Sequence, residues 1–244
     1  MTTAMTTPPL TDRQKQILDF TERDGFVTIE RLAEIFSVSA QTVRRDIITL
    51  SEAGRLQRFH GGAGAIETHE TLRLDYSHKE NLSVSGKTAV ARQAAALIPD
   101  GTSLYLDVGT TMEMTAKALN AHQGLNIFTN SMRVALALDI SRHTIHVLGG
   151  RVAGKDGSLV SEDLPLTLSG LQLDFALIAC SCIDDKERVM DFDLSKIAVK
   201  RAAMASATRT MLLATPDKFG RAALATIAPL QDFDHVIDGR PPST

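Results

Sequence analysis

Cysteine is nearly absent from the sequence: Cys180 and Cys182 are the only two in 244 residues, one residue apart in an apolar run. That spacing is neither a disulfide framework nor the C-x-x-C of zinc and redox sites, so both are expected to be buried structural residues of a cytoplasmic protein. Long apolar runs are missing too. None approaches the ~18 residues that a membrane span requires. The opening MTTAMTTPPL has neither a basic nor an apolar leader segment. A membrane partner and a secretion signal are therefore not expected, and residues 1–10 read as a disordered lead-in. No G-x-x-x-x-G-K-[ST] occurs, which removes a Walker-type nucleotide site. Gly61-Gly62-Ala63-Gly64 is glycine-rich but follows a strand-like segment, so it is not a dinucleotide fingerprint. His143 and His146 are three apart, yet His146 falls in a predicted strand, and a metal pair is not expected. There is no internal repeat. No cofactor and no metal are called for.

What is present is enough chain for two domains, with 43% hydrophobic residues to build their cores. The net charge of −3 argues against non-specific coating of nucleic acid. It still allows a small basic surface beside a larger acidic domain.

The most organised stretch is FSVSAQTVRRDIITLSEAGRLQRFHGG, residues 36–62. Ser39 stands as an N-cap. Val43, Ile47 and Leu50 follow at i, i+4 and i+7 and form one apolar stripe. The other face carries Gln41, Arg45 and Ile48, flanked by Thr42 and Arg44. Upstream, Ile29, Leu32, Ala33 and Phe36 repeat the helical spacing, and Ser37-Val38-Ser39 has the length of a helix-turn-helix joint. Gly54 sits where a helix ends. Residues 55–60 then alternate polar and apolar like a strand, closed by Gly61-Gly62. A recognition helix followed directly by a basic wing is the arrangement of a winged helix-turn-helix. Arg and Gln suit base edges and phosphates, so Ser39, Gln41, Thr42, Arg44, Arg45, Arg55, Arg58 and His60 are the candidate contacts to double-stranded DNA. His60 reads equally as a solvated turn residue. Asp46 and Glu52 are the acidic residues within this surface.

Thr11-Asp12 opens an earlier helix ended by Gly25, and Phe26-Val27-Thr28 leads into the helix pair. The DNA-binding domain spans residues 11–64, and the polar, weakly patterned residues 65–84 read as a linker. From residue 85 to 244, helices and short β-rich runs alternate, which predicts an α/β domain on a mostly parallel sheet. Strands are expected over 103–107, 125–129, 144–148, 174–179 and 211–215, with a short last one over 235–237. Helices are expected from 90 to 98, 131 to 140 and 196 to 207, with another opening at Gly109-Thr110-Thr111. In open α/β sheets, ligands bind at the carboxyl ends of strands. Four polar clusters are expected there: Asp107 to Thr111, Thr129-Asn130-Ser131, Gly149-Gly150-Arg151 and Ile183-Asp184. The Gly-Thr-Thr turn offers backbone N–H groups, two hydroxyls and a helix N-terminus, which suit a phosphate. A plain helix cap is the bland alternative. Lys218 reads either as a phosphate contact or as a solvated lysine.

FSVSAQTVRRDIITLSEAGRLQRFHGGA resembles the N-terminal signature of DeoR-family bacterial repressors. The similarity continues through IPDGTSLYLDVGTT, IFTNS, VLGGRV, the Lys200-Arg201 helix and DKFGRAAL. Within the family, VMDFDLSKIAVKRA is most similar to the glycerol-3-phosphate regulon repressors. The resemblance implies an α/β protein with an N-terminal winged helix-turn-helix and a C-terminal ribose-phosphate-isomerase-like effector domain. It implies release from DNA by a phosphorylated sugar or polyol such as glycerol-3-phosphate, and a homo-oligomer, dimer or tetramer. It carries effector binding to Lys87, Asp107, Gly109, Thr110, Thr111, Asn130, Gly149, Gly150, Asp184 and Lys200. Ala179 and Cys182 stand where the family has glycines, and Ser161 replaces another, which could reshape the pocket. The alternative is a sugar-phosphate isomerase carrying a DNA-binding appendage. It would need a base, and Asp107 and Asp184 are the only carboxylates nominated for it.

Overall fold

The computed structural model describes residues 10–24, 26–59, 62–65, 83–153 and 156–240. They form two compact units, each with its own apolar core.

The N-terminal unit runs α1 (Asp12–Asp24), β1 (Phe26–Thr28), α2 (Ile29–Phe36), α3 (Ala40–Glu52), β2 (Leu56–Phe59) and β3 (Gly62–Ala65). Val43, Ile47 and Leu50, the stripe expected on α3, are buried against Ile17, Leu18, Ile29 and Leu32. Leu10 packs against the same core. Both helices of the pair begin on a hydroxyl cap. Arg31 N donates to Thr28 Oγ1 at 3.2 Å, and Thr42 N to Ser39 Oγ at 3.2 Å. The last turn of α3 closes as a Schellman motif, with Gly54 N donating to Ser51 O (3.0 Å) and Arg55 N to Leu50 O (2.8 Å). The wing is a three-stranded sheet in the order β1-β3-β2. Phe26-Val27-Thr28, read from the sequence as a lead-in, is therefore its outer strand. Gly62 makes that pairing close, since a Cβ there would lie 2.4 Å from the Phe26 ring and from Val27 O. Gly25, His60 and Gly61 lie outside the described residues.

The C-terminal unit contains α4 (Val84–Ala96), β4 (Ser103–Leu106), α5 (Thr110–Leu119), β5 (Asn126–Thr129), α6 (Met132–Ala137) and β6 (Thr144–Val147). It continues with β7 (Arg151–Ala153), β8 (Ser158–Val160), α7 (Leu164–Ser169), β9 (Leu173–Ala179), β10 (Cys182–Ile183) and β11 (Arg188–Asp191). It ends with α8 (Leu194–Ala205), β12 (Ala207–Leu213), β13 (Ala225–Pro229) and β14 (His235–Ile237). The main sheet has the order β14-β12-β9-β4-β5-β6, and all its neighbours are parallel.

Alternation along the strands divides this core in two. Leu104, Leu106, Phe175, Leu177, Met211 and Leu213 face one side, with residues of α4 and α5. Tyr105, Ala176, Ile178 and Leu212 face the other, with residues of α7 and α8. Both faces of the central strands are thus dry, as a parallel sheet requires.

Two expectations are corrected here. The helix over 131–140 stops at Ala137, because Asn120 captures its last turn: Nδ2 donates to Ala137 O at 2.9 Å and Oδ1 accepts from Asp139 N at 2.8 Å. Ile183-Asp184 does not end a strand of the main sheet. After β9 the chain turns at Cys180-Ser181, and β10 pairs antiparallel with β11 in a separate small sheet, β10-β11-β13. The hairpin β7–β8 is likewise separate. Its short strands carried no alternation strong enough to read.

Candidate functional site

On the N-terminal unit, burying Val43, Ile47 and Leu50 fixes which side of α3 is left to solvent. Gln41, Arg44 and Arg45 are exposed, with Thr42 and Ile48 half-buried beside them. Arg55 and Arg58 are exposed along the wing, while Leu56 between them turns inward. Among the described residues no carboxylate forms an ion pair with any of these four arginines. Asp46 does not dilute the charge of this face. It is buried on the opposite side of α3, with Oδ2 accepting from Arg13 Nε at 2.6 Å. The Ser39 hydroxyl, besides capping the helix, lies 2.9 Å from Thr42 Oγ1. Between them, α3 and the wing therefore expose a helix N-terminus, four guanidinium groups without an ion pair and one amide, donors suited to an anionic polymer.

On the C-terminal unit, strand order locates the crevice. The chain moves outward from β4 through β5 to β6, and the other way through β9, β12 and β14. The direction reverses between β4 and β9, and ligands of open α/β sheets bind at such a switch point. Asp107 stands at the carboxyl end of β4 and reaches across it, with Oδ2 accepting from Ala179 N at 3.0 Å. Lys200, buried on α8, donates to the same Oδ2, to Ala179 O at 2.8 Å, and lies 3.3 Å from Asp191 Oδ2. Asp191 Oδ1 accepts from Ser181 Oγ and from Phe192 N, each at 2.8 Å. Burial opposes the charge on Lys200, but Asp107 and Asp191 outweigh it and hold the ammonium above its ordinary value. Burial likewise opposes ionisation of Asp191, and Lys200 with the Ser181 hydroxyl holds its carboxyl below the usual range. Burial pushes the neighbouring Cys180 thiol up to about 12.

The turn after Asp107 is open where this network is closed. Gly109 takes φ +121°, a conformation that side chains rarely adopt, and a Cβ there would meet nothing within 4 Å. It stands at the N-cap of α5 without a side-chain cap. No acceptor among the described residues takes the backbone N–H of Thr110, Thr111 or Met112. Both threonines are half-buried at this turn.

The other carried-over residues divide. Asn130 directly follows β5, and its side chain is engaged at both ends: Oδ1 accepts from the buried Tyr105 hydroxyl at 2.7 Å, and Nδ2 donates to Leu159 O at 3.1 Å. Gly149 follows β6, and a Cβ there would stand 2.8 Å from Leu159 Cβ, so packing against β8 already accounts for it. Gly150 next to it has room. Lys87 is buried on the α4 stripe of Val90, Ala91 and Ala94. Asp184 is held in its hairpin turn, accepting from Arg188 Nε at 2.8 Å and from Arg188 N at 2.9 Å. Asp107 and Lys200 are thus brought together and Gly109, Thr110 and Thr111 follow at the same strand end, whereas Asp184 is tied into the small sheet. Lys218 stands in a 3-10 turn after β12 and makes no ion pair among the described residues.

Sequence reasoning missed Asp191. Its signal was present in Asp191-Phe192-Asp193 before a helix bearing Lys196 and Lys200 at i, i+4. Asp193 caps α8, leaving Asp191 to face the helix. Lys196, one turn before Lys200, pairs with Asp156. Cys182 buries its side chain as expected, whereas Cys180, also expected to be buried, is half-buried.

Comparison with known proteins agrees with both halves. A family model described as the DeoR-like helix-turn-helix domain matches residues 13–69, and one described as the DeoR C terminal sensor domain matches residues 82–240. The glycerol-3-phosphate regulon repressor of Haemophilus influenzae is 34% identical over 230 residues, covering 94% of this chain and 89% of that protein. Its Escherichia coli counterpart is 33% identical over 233 residues, covering 95% and 92%. The HTH-type transcriptional repressor CsqR of Escherichia coli is 32% identical over 216 residues, covering 88% and 82%. Among solved structures, ribose 5-phosphate isomerase A from Methanocaldococcus jannaschii aligns at a TM-score of 0.41 and 12% identity, covering 56% of this chain and 54% of that one. At that distance the likeness carries no functional weight.

Proposed function

The chain belongs to the DeoR family of DNA-binding transcriptional regulators, and on that premise we propose that it is a repressor released from operator DNA by a phosphorylated sugar or polyol. The observation that carries the effector half is the Gly109–Thr111 turn. Uncapped N–H groups, the positive end of the α5 dipole and two hydroxyls converge at a sheet switch point, a combination that favours a phosphate oxygen. Asp107, which leads into this turn, is held in place by Lys200. Lys87, Asn130, Gly149, Gly150 and Asp184 belong to the proposed site by resemblance to the family, Asn130 and Gly149 supporting its walls through packing. The name shared by the Haemophilus influenzae and Escherichia coli relatives favours glycerol-3-phosphate as the ligand.

Ser39, Gln41, Thr42, Arg44, Arg45, Arg55, Arg58 and His60 are the proposed DNA contacts, with the domain boundary between residues 65 and 84. The protein is proposed to act in the cytoplasm. Among the described residues no helix is long and apolar enough to cross a membrane. A homo-oligomer fits the surface of the C-terminal unit. The edge strand β6 carries no charge to block pairing, and Leu136, Ile140 and Val147 are exposed near it. The isomerase reading is weaker, because Asp107 and Asp184 are both tied up by cationic partners.

The test is a pair of variants read in two assays. Arg45→Ala is expected to weaken operator binding at least tenfold and leave effector affinity unchanged. Thr110→Val with Thr111→Val is expected to do the reverse. A double variant that still responds normally to effector contradicts the phosphate assignment.

A further inference from the structure

α3 carries an acidic residue directly after Arg44 and Arg45, and the DNA-binding face does not use it. Asp46 occupies the buried stripe together with Val43, Ile47 and Leu50. It is 7% exposed, at a position where an aliphatic side chain would serve packing alone. Both carboxylate oxygens are taken by α1. Oδ2 accepts from Arg13 Nε at 2.6 Å, and Oδ1 accepts from Gln14 Nε2 at 3.2 Å. Gln14 is itself fixed by a capping box at the start of α1. Its Oε1 accepts from Thr11 N at 3.0 Å, while its own N donates to Thr11 Oγ1 at 3.2 Å. The first turn of α1 is thereby joined to the centre of α3.

Apolar contacts are non-directional, so Val43, Ile47 and Leu50 alone leave α3 some freedom to rotate or slide over its core. Hydrogen bonds to a carboxylate have preferred directions and select one rotation. Buried ion pairs are weak evidence for stability and are often matched by an apolar residue of similar volume, but they can fix register. We propose that Asp46 is a positioning residue for DNA recognition: held by Arg13 and Gln14, it sets the rotation of α3 that aims Gln41 and Arg45 at base edges. The proposal rests on the DNA-binding reading of α3 and adds a residue that does not touch DNA to the determinants of sequence preference.

The experiment uses the full-length chain and two DNA probes: a duplex selected by the wild-type protein from a random library, and a scrambled duplex of the same composition. Affinities are measured across a salt series, with thermal unfolding in parallel. Asp46→Leu is expected to unfold no earlier than the wild type, yet to lose at least tenfold in the ratio of selected to scrambled affinity. Its affinity for scrambled DNA and the salt slope on that probe should not change. Arg13→Ala should lose selectivity in the same direction, and Arg13→Lys should recover part of it. A stable Asp46→Leu that keeps the wild-type ratio within twofold overturns the proposal. If Asp46→Leu unfolds early, Arg13→Ala decides alone. Should it weaken both probes equally and reduce the salt slope, Arg13 is a phosphate contact and the positioning role is wrong. A wild-type chain that selects no sequence from the library overturns the recognition reading, and the proposal with it.

Discussion

Lys200 ties the carboxyl ends of β4 and β9 to β11 through Asp107, Ala179 O and Asp191. Its ammonium lies between the buried Asp107 and the half-buried Asp191, and removing it leaves both carboxylates uncompensated. Lys200→Met is expected to destabilise the unit by about 3–5 kcal/mol, read by urea unfolding. The pH dependence has a definite sign. The Asp191 carboxyl is held below its ordinary 3.8, so its contribution is complete above that value and is lost as pH falls through the lower folded value. Lys200 is held above its ordinary 10.5, so its contribution is complete below 10.5 and is lost only as pH rises through the higher folded value. The stability gap between wild type and Lys200→Met should therefore be flat between about pH 5 and 9 and narrow in acid. A gap that closes near neutral pH would contradict this account of the cluster. At Cys180, a thiol pushed up to about 12 predicts poor reactivity. Modification by a disulfide reagent at pH 8 should run at least about a hundredfold slower than that of free cysteine.

At the level of elements, the helix-turn-helix was legible because its signals are local. Ser39 as N-cap, Gly54 past the last turn and the Val43-Ile47-Leu50 stripe all act within a few residues of chain. Ser39→Ala should cost about 1 kcal/mol of stability in the N-terminal unit, and Ile47→Ala about 2–5 kcal/mol, both measured by thermal unfolding. The alternation of the second unit was legible for the same reason, since each central strand is a short apolar run. What was not legible depended on contacts distant in sequence. Asn120 stops α6 from 17 residues away. β10 leaves the main sheet to pair with β11, which takes Asp184 from a strand end to a hairpin turn. Asp107 meets Lys200 from 93 residues away. β1 is a strand because β3 lies against it, and Gly62 reads as a turn residue until Phe26 is seen beside it. In the candidate site, the turn at Gly109 could be read from the sequence, whereas the closed state of Asp107 and Lys200 could not.

For the whole molecule, repression and release require two arrangements of the same chain, with the effector binding one better than the other. A ligand with equal affinity for both would shift nothing. Paired half-sites on DNA need paired recognition helices, so the proposed homo-oligomer would tie release to self-association of the larger unit. Leu136→Glu with Ile140→Glu is expected to lower the molar mass in light scattering and weaken operator binding, leaving ligand-induced stabilisation intact. An unchanged mass would remove the β6 edge from the assembly. The most direct measurement is fluorescence anisotropy of labelled operator duplex bound to the full-length chain, titrated with glycerol-3-phosphate, sugar phosphates and inorganic phosphate. The account expects one phosphorylated polyol or sugar to release the DNA in a saturable way, and expects Thr110→Val with Thr111→Val to abolish that release while binding DNA normally. Release by none of the phosphorylated compounds, or equal release from the double variant, would contradict it.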